Sequence, residues 1–299
     1  EGSPLLLCRM RVTNLQNKTI PMYWWSNIAV PETPDRRIVV PTDESYYSFW
    51  STVAKTPIPM RAGKDVTYPV NTECSMDYFY RIPEENRKYI ACLDKDGYGL
   101  VQTSTRRLKG RKLFVWGQSE GGHTWQRFLT DKAGDYSEIQ AGLARTQYEC
   151  IPMPPCSAWE WVEGYGAMSA DPAKVHGGWP EARREVEQRL EERMPADALE
   201  GILIRSRADY VFKKGDLIQN GSGFGALENR RRQQTGERLL PEHLDFGEPG
   251  DAQRHWMELL ETGRLPEPRP DEVPPSYLVD DAWFDLVRRS REQDGRNWY

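Results

Sequence analysis

The chain has 299 residues, a formal net charge of −5, 28% charged residues and a mean hydropathy of −0.74. That length allows one large domain or two small ones with a sizeable core. The mildly acidic balance points to neither nucleic acid nor an anionic membrane surface as a partner, and no apolar run reaches the roughly 18 to 20 residues a membrane helix needs.

In chain order, the first part reads as β. Short runs rich in Val, Ile, Tyr, Trp and Thr recur at Leu5 to Val12, Ile20 to Val30, Arg37 to Val40, Met76 to Ile82, Tyr89 to Leu93, Leu100 to Thr105, Lys112 to Trp116 and Tyr136 to Gln140. Turn residues separate them, as in Pro83-Glu84-Glu85-Asn86 and Asp94 to Gly97. Many short strands with irregular turns predict an all-β sandwich or barrel over residues 1–165. From about 166 the character changes. Trp179-Pro180 opens a helix with Pro in its first turn. Ala182, Val186, Leu190 and Met194 then recur every four residues on an otherwise charged helix, which fits a helix lying on a surface, and Pro195 ends it. Gln253 to Thr262 predicts a second helix, with Trp256, Leu259 and Leu260 on one side. Pro266 to Pro275 reads as a stiff linker, and Asp280 to Arg291 as a third helix around Trp283, Leu286 and Val287. The expected segments are therefore 1–165, a helical and irregular extension over 166–275, and a final helical piece over 276–299.

Near the start, Pro4-Leu5-Leu6-Leu7-Cys8 is too short for a signal-peptide core and runs into Arg9 and Arg11. Residue 1 is Glu rather than Met, as expected of a piece of a longer chain. Five cysteines without CxxC spacing favour neither a disulfide framework nor a zinc ribbon, so a reducing, cytoplasmic compartment is expected. Four scattered His add no metal-ligand spacing, and no metal or cofactor is expected. The eleven Trp are the most telling feature, with seven in the first 161 residues.

The densest constellation runs from Lys112 to Glu149. On a strand over Tyr136 to Gln140, side chains alternate, so Tyr136, Glu138 and Gln140 share one face and Ile139 points into the core. A carboxylate, an amide and an aromatic ring on one face suit the wall of a polar pocket. Trp and Tyr rings offer flat apolar area to the CH face of a sugar, while carboxylates and amides bond its hydroxyls. The plainer reading is that a Glu on a sandwich strand faces solvent, that Trp116 and Trp125 are core, and that His123 is a surface residue in the turn after Gly121-Gly122. In Trp159-Glu160-Trp161-Val162-Glu163 the two Trp face one way and Glu160 the other, most simply as an amphipathic edge strand. Of the neighbours Trp24 and Trp25, one is core and the other can line a cleft. Gly221-Ser222-Gly223-Phe224-Gly225 lacks the spacing of a phosphate loop and reads as a turn. The basic run Arg106-Arg107, Lys109, Arg111, Lys112 reads as a solvated face or as partners for nearby carboxylates, and Arg230-Arg231-Arg232 likewise.

Tyr23-Trp24-Trp25-Ser26-Asn27-Ile28-Ala29-Val30 resembles a strand motif of a large uncharacterised bacterial family with a galactose-mutarotase-like β-supersandwich followed by tetratricopeptide repeats. Gly110-Arg111-Lys112 to Trp116-Gly117, Gly122 to Trp125, Tyr136 to Gly142 and Thr146-Gln147 match further motifs in the same order, over roughly residues 5 to 165. Asp280 to Tyr299, with Trp283 and Asn297-Trp298-Tyr299, resembles the lead-in to the repeats. The resemblance implies a mainly β fold, the C-terminal part of such a supersandwich, followed by an α-helical segment. It implies a carbohydrate-active protein, a glycoside hydrolase or a sugar epimerase, because an aldose 1-epimerase uses a Glu in a Glu-x-Gln setting as base on the anomeric hydroxyl. Glu138-Ile139-Gln140 is similar. The expected site residues are Glu138 and Glu149 for catalysis, with Glu163 as an alternative second carboxylate. Trp25, Asn27, Trp116, His123, Trp125, Gln140 and Gln147 are expected to bind substrate. The alternative is a non-catalytic glycan-binding or scaffold module that reaches protein partners through the helical repeats.

Overall fold

A computed structural model describes residues 2–49, 52–267, 269–272, 276 and 278–294. The strands are β1 (Leu6–Asn14), β2 (Ile20–Met22), β3 (Trp25–Pro31), β4 (Arg37–Val39), β5 (Glu44–Phe49), β6 (Thr52–Pro57), β7 (Met60–Arg61) and β8 (Lys64–Asp65). There follow β9 (Met76–Tyr80), β10 (Lys88–Leu93), β11 (Tyr98–Ser104), β12 (Gly110–Val115), β13 (Tyr136–Gly142), β14 (Ile151–Met153) and β15 (Ser157–Ser169). Helix α1 (Glu120–Thr130) interrupts the strands between β12 and β13. After them come α2 (Pro172–Val175), α3 (Trp179–Arg193), α4 (Ala196–Asp209), α5 (Phe224–Thr235), α6 (Arg254–Thr262) and α7 (Asp281–Asp294). The expected mainly β fold with a helical segment after it is what the chain adopts.

The strands form two antiparallel sheets. One has the order β1-β15-β11-β10-β4 and the other β3-β13-β12-β9-β5-β6. Ile28, Val30, Tyr78, Leu113, Val115 and Ile139 of the six-stranded sheet share one apolar cluster with Ile38 and Ile90 of the five-stranded sheet, so these faces pack together. The two sheets then diverge in kind. Every residue of β10 is buried, because its second face is covered too: Val39, Tyr89, Ala91, Leu93 and Val162 lie in the same cluster as Ala182, Val186 and Leu190 of α3 and Leu199 of α4. A strand covered on both faces reads as a continuous apolar run. The second face of the six-stranded sheet instead carries polar and aromatic side chains.

The compact unit containing the sandwich runs to Ser206, and a second unit begins at Arg207. The boundary expected near 165 therefore falls inside β15, and the extension expected over 166–275 is divided. The apolar stripe of α3 fixes this: Ala182, Val186 and Leu190 are fully buried and Met194 is 5% exposed, so α3 roofs the five-stranded sheet. The second unit packs α5, α6 and α7 around Leu227, Trp256, Leu259, Leu265 and Trp283. The helices expected from Gln253 and Asp280 are present as α6 and α7. The glycine cluster at 221–225 leads into α5, where Gly223 takes φ +84° at the N-cap. The Asn297-Trp298-Tyr299 end of the motif, and part of the 266–275 linker, lie outside the described residues.

Candidate functional site

Pairing register sets the side chains on the open face of the six-stranded sheet. Gln140 stands opposite Asn27 on β3 and opposite Lys112 on β12, and Lys112 opposite Phe79 on β9. One step along, Glu138 stands opposite Phe114, and Phe114 opposite Asp77. Tyr136, Glu138 and Gln140 share this face as expected, while Ile139 is 1% exposed in the core.

A continuous hydrogen-bonded row crosses the sheet. The Asn27 amide donates to Glu138 Oε2 at 2.6 Å, and the Gln140 amide donates to the same oxygen at 2.9 Å. Gln147 Nε2 donates to Gln140 Oε1 at 2.8 Å, and Lys112 Nζ to Gln147 Oε1 at 2.6 Å. Lys112 also pairs with Asp77 at 2.7 Å and lies over the Phe79 and Phe114 rings, 5.3 and 5.4 Å from their centroids. The row thus runs from a carboxylate held by two amides to a second carboxylate held by an ammonium. Glu138 is half-buried and Asn27 exposed, so the carboxylate meets solvent from a largely buried floor of Gln140 and Lys112.

Aromatic rings flank the row on both sides. The Trp25 indole lies edge-on to Phe79, with centroids 6.0 Å apart. It lies flat on Gly142 and Gly110, where a Cβ would come within 2.3 and 2.8 Å of the ring. Glycine at those two points makes room for it. On the other side Trp116 stacks on Trp125 at 5.9 Å and an interplanar angle of 21°, and meets Phe114 and Tyr136 edge-on. Trp125 projects from α1 and is 52% exposed.

The structure brings Trp25, Asn27, Trp116, Trp125, Glu138, Gln140 and Gln147 to this one face. It does not bring Glu149 or Glu163 there. The Glu149 carboxylate accepts from the Thr146 amide at 3.0 Å and the Thr146 hydroxyl at 3.3 Å, closing its own turn. Glu163 is fully buried between the sheets, where Ser26, Gln102, Tyr165 and Trp161 all donate to it. Glu160, on the opposite side of β15, pairs with Arg9 and Arg11 of β1. β15 is thus an interior strand of its sheet, not the edge strand expected. His123 sits in the first turns of α1 rather than in a turn, and its Nδ1 lies 3.7 Å from Asp135. Nearby, burial pushes the carboxyl of Glu32 above its ordinary value of 4.5, against hydrogen bonds from Ser137 and Gln118.

Sequence reading missed Asp77 and Lys112 as members of the row. Asp77 sits in a strand that reads as plain alternation, and Lys112 was one of five charges in a basic run. The usable signal was periodicity: Lys112, Phe114 and Trp116 alternate with buried Leu113 and Val115, as Tyr136, Glu138 and Gln140 do with buried Ser137 and Ile139.

These features define a two-sheet β-sandwich, roofed by helices on one sheet and open on the other, with a helical unit after it. Residues 8–153 match the family model described as a domain of unknown function (DUF5107), in keeping with the uncharacterised family that the motifs resemble. The chain is similar over 98% of its length to a TPR-domain containing protein from Parabacteroides distasonis, at 18% identity and a TM-score of 0.52. It spans 46% of that protein, so about half its length, and at this identity the likeness is one of fold. Structures of the mutarotase-like type are also among those similar. A galactose mutarotase-like protein from Clostridium acetobutylicum matches with 12% identity, covering 55% of this chain and 52% of that one, with a TM-score of 0.40. A protein provisionally named an aldose 1-epimerase, from Escherichia coli K12, matches with 13% identity, covering 56% and 57%, with a TM-score of 0.41. Among the described residues no helix is long and apolar enough to cross a membrane.

Proposed function

We propose that the open face of the six-stranded sheet binds a saccharide and that Glu138 is the group that takes a proton from, or a hydrogen bond from, a sugar hydroxyl. The observation that carries this reading is the Asn27–Glu138–Gln140–Gln147–Lys112–Asp77 row between Trp25 and the Trp116–Trp125 stack. A sugar ring has one apolar CH face and a rim of hydroxyls. An indole face takes the first, and a row alternating acceptors with donors takes the second. In an anomeric epimerisation Glu138 acts as base on the anomeric hydroxyl. Glycoside hydrolysis needs a second carboxyl group, and Asp77 stands in register with Glu138 across Phe114, about 10 Å away at two strand spacings.

A second reading, glycan binding without turnover in a module that meets protein partners through stacked helices, is favoured by the engagement of the other carboxylates: Asp77 with Lys112 and Glu149 with its own turn. A proton NMR screen of the whole chain against free aldoses and aryl glycosides separates the two, since it reads binding, anomer exchange and bond cleavage together. Glu138→Gln is expected to abolish conversion with folding intact, and Trp125→Ala to weaken binding about fivefold or more, the loss of one ring contact. Full turnover in Glu138→Gln defeats the catalytic role, and no saturable saccharide binding defeats both readings.

A further inference from the structure

At one end of the six-stranded sheet lies a cleft of about 440 Å³ whose charged lining is Arg81, Lys88, Arg106, Lys109 and Arg145 with Glu44 and Glu84. Five cations stand there against two carboxylates, in a chain whose overall charge is −5. The cations come from separate segments: the end of β9, the start of β10, the β11–β12 connection and the segment after β13. Tertiary folding therefore collects them.

The charge is incompletely cancelled from within. Arg81 pairs with Glu44. Glu84 is shared, with Lys109 Nζ at 2.7 Å and Arg145 at 3.9 Å. Arg106 lies 3.7 Å from Asp197, whose side chain is 94% exposed, a pair that water screens almost completely. Lys88 is 3% exposed, and its ammonium donates to the backbone carbonyls of Pro83, Glu84 and Asn86. Carbonyls supply dipoles and no countercharge. Burial, and then the charge of Arg111, push this ammonium down to about 8.

We propose that this cleft is an oxyanion site that takes a phosphate or sulfate group, free or carried on a larger molecule. Two guanidinium forks and a flexible ammonium at a mouth of small-molecule size match the oxygens of such a group, which forms shorter and stronger bonds to Arg and Lys than a neutral ligand does. The site is separate from the Glu138 row and stands whether or not that row binds sugar.

Calorimetric titration of the whole chain with inorganic phosphate and with sulfate, at constant ionic strength, tests it. Saturable binding is expected. Arg145→Ala and Lys109→Ala are each expected to weaken it about tenfold, the worth of one charge-assisted bond. Glu84→Gln, which frees both cations, is expected to tighten it several-fold. Lys18→Ala, an exposed charge elsewhere, is the control and is expected to change nothing. A monosaccharide phosphate binding tighter than free phosphate identifies a carried group, and equal or weaker binding identifies the free ion. Absence of saturable binding, or Arg145→Ala and Lys109→Ala both indistinguishable from Lys18→Ala while thermal melts match wild type, overturns the proposal.

Discussion

Replacing Glu163 by Gln tests whether the interior of the sandwich is held by a single carboxylate. Glu163 is fully buried and receives four hydrogen bonds, from Gln102 at 3.2 Å, Tyr165 at 2.7 Å and Ser26 on one oxygen, and from the Trp161 indole at 3.2 Å on the other. It is also the countercharge for Arg111, which is fully buried, bonds Leu108, Gly110 and Lys88 carbonyls and the Ser104 hydroxyl, and is driven down to about 10 by burial despite Glu163. A glutamine keeps the shape, yet its NH₂ must face either the Trp161 N–H or the cluster of three donors. One charge-assisted bond, worth about 1.5–3 kcal/mol, is lost, and a buried donor is left facing a donor, at about 1–3 kcal/mol more. Arg111 loses its compensation as well, so the total is about 3–5 kcal/mol, the range for breaking a buried charge network by one member. Urea denaturation followed by Trp fluorescence reads this as a midpoint lower by roughly 1–2 M at a slope of 2–3 kcal/mol/M. The double variant Glu163→Gln with Arg111→Met is expected to lose less than the sum of the two single variants, because the second change removes the orphaned charge. A Glu163→Gln cost below about 1 kcal/mol, or strict additivity, refutes the account of this carboxylate as the electrostatic hub of the core.

Leu190→Ala empties a fully buried position on α3 and is expected to cost about 2–5 kcal/mol. Fluorescence and circular dichroism transitions should shift together, whereas a helical signal that moves alone places α3 outside the sandwich's cooperative unit. Glu32→Gln is expected to flatten the dependence of stability on pH. Burial raises the folded-state pKa of Glu32 above its ordinary 4.5, so its contribution is whole below that value and is lost as pH rises through the raised one. Between pH 4.5 and 7, urea midpoints should therefore fall more for wild type than for the variant; parallel curves contradict the assignment.

Alternation told the sequence reader a great deal about the six-stranded sheet. Because its outer face stays open, period two survives in Lys112 to Trp116 and in Tyr136 to Gln140, and the partners of Glu138 on its own strand were legible. The stripe of Ala182, Val186, Leu190 and Met194 likewise wrote α3 into the chain. Helix α1 was not legible: two glycines at Gly121 and Gly122 weigh against a helix locally, and its formation rests on the Ser119 cap and on Trp125 stacking on Trp116. The pairing of Asp77 on β9 with Ser48 on β5 is equally hidden, because it joins segments far apart in the chain.

Local periodicity fixed the class, β first and helices after, together with the face on which Glu138, Gln140 and Tyr136 stand, since it sets side-chain direction. Which carboxylates share that face was decided only by strand register across distant segments. Glu149, Glu163 and Asp77 look alike as letters; a turn claims the first, the space between the sheets the second, and β9 lying against β12 carries the third to the row. Burial and register are properties of the assembled sheets, and no window of residues along the chain contains them.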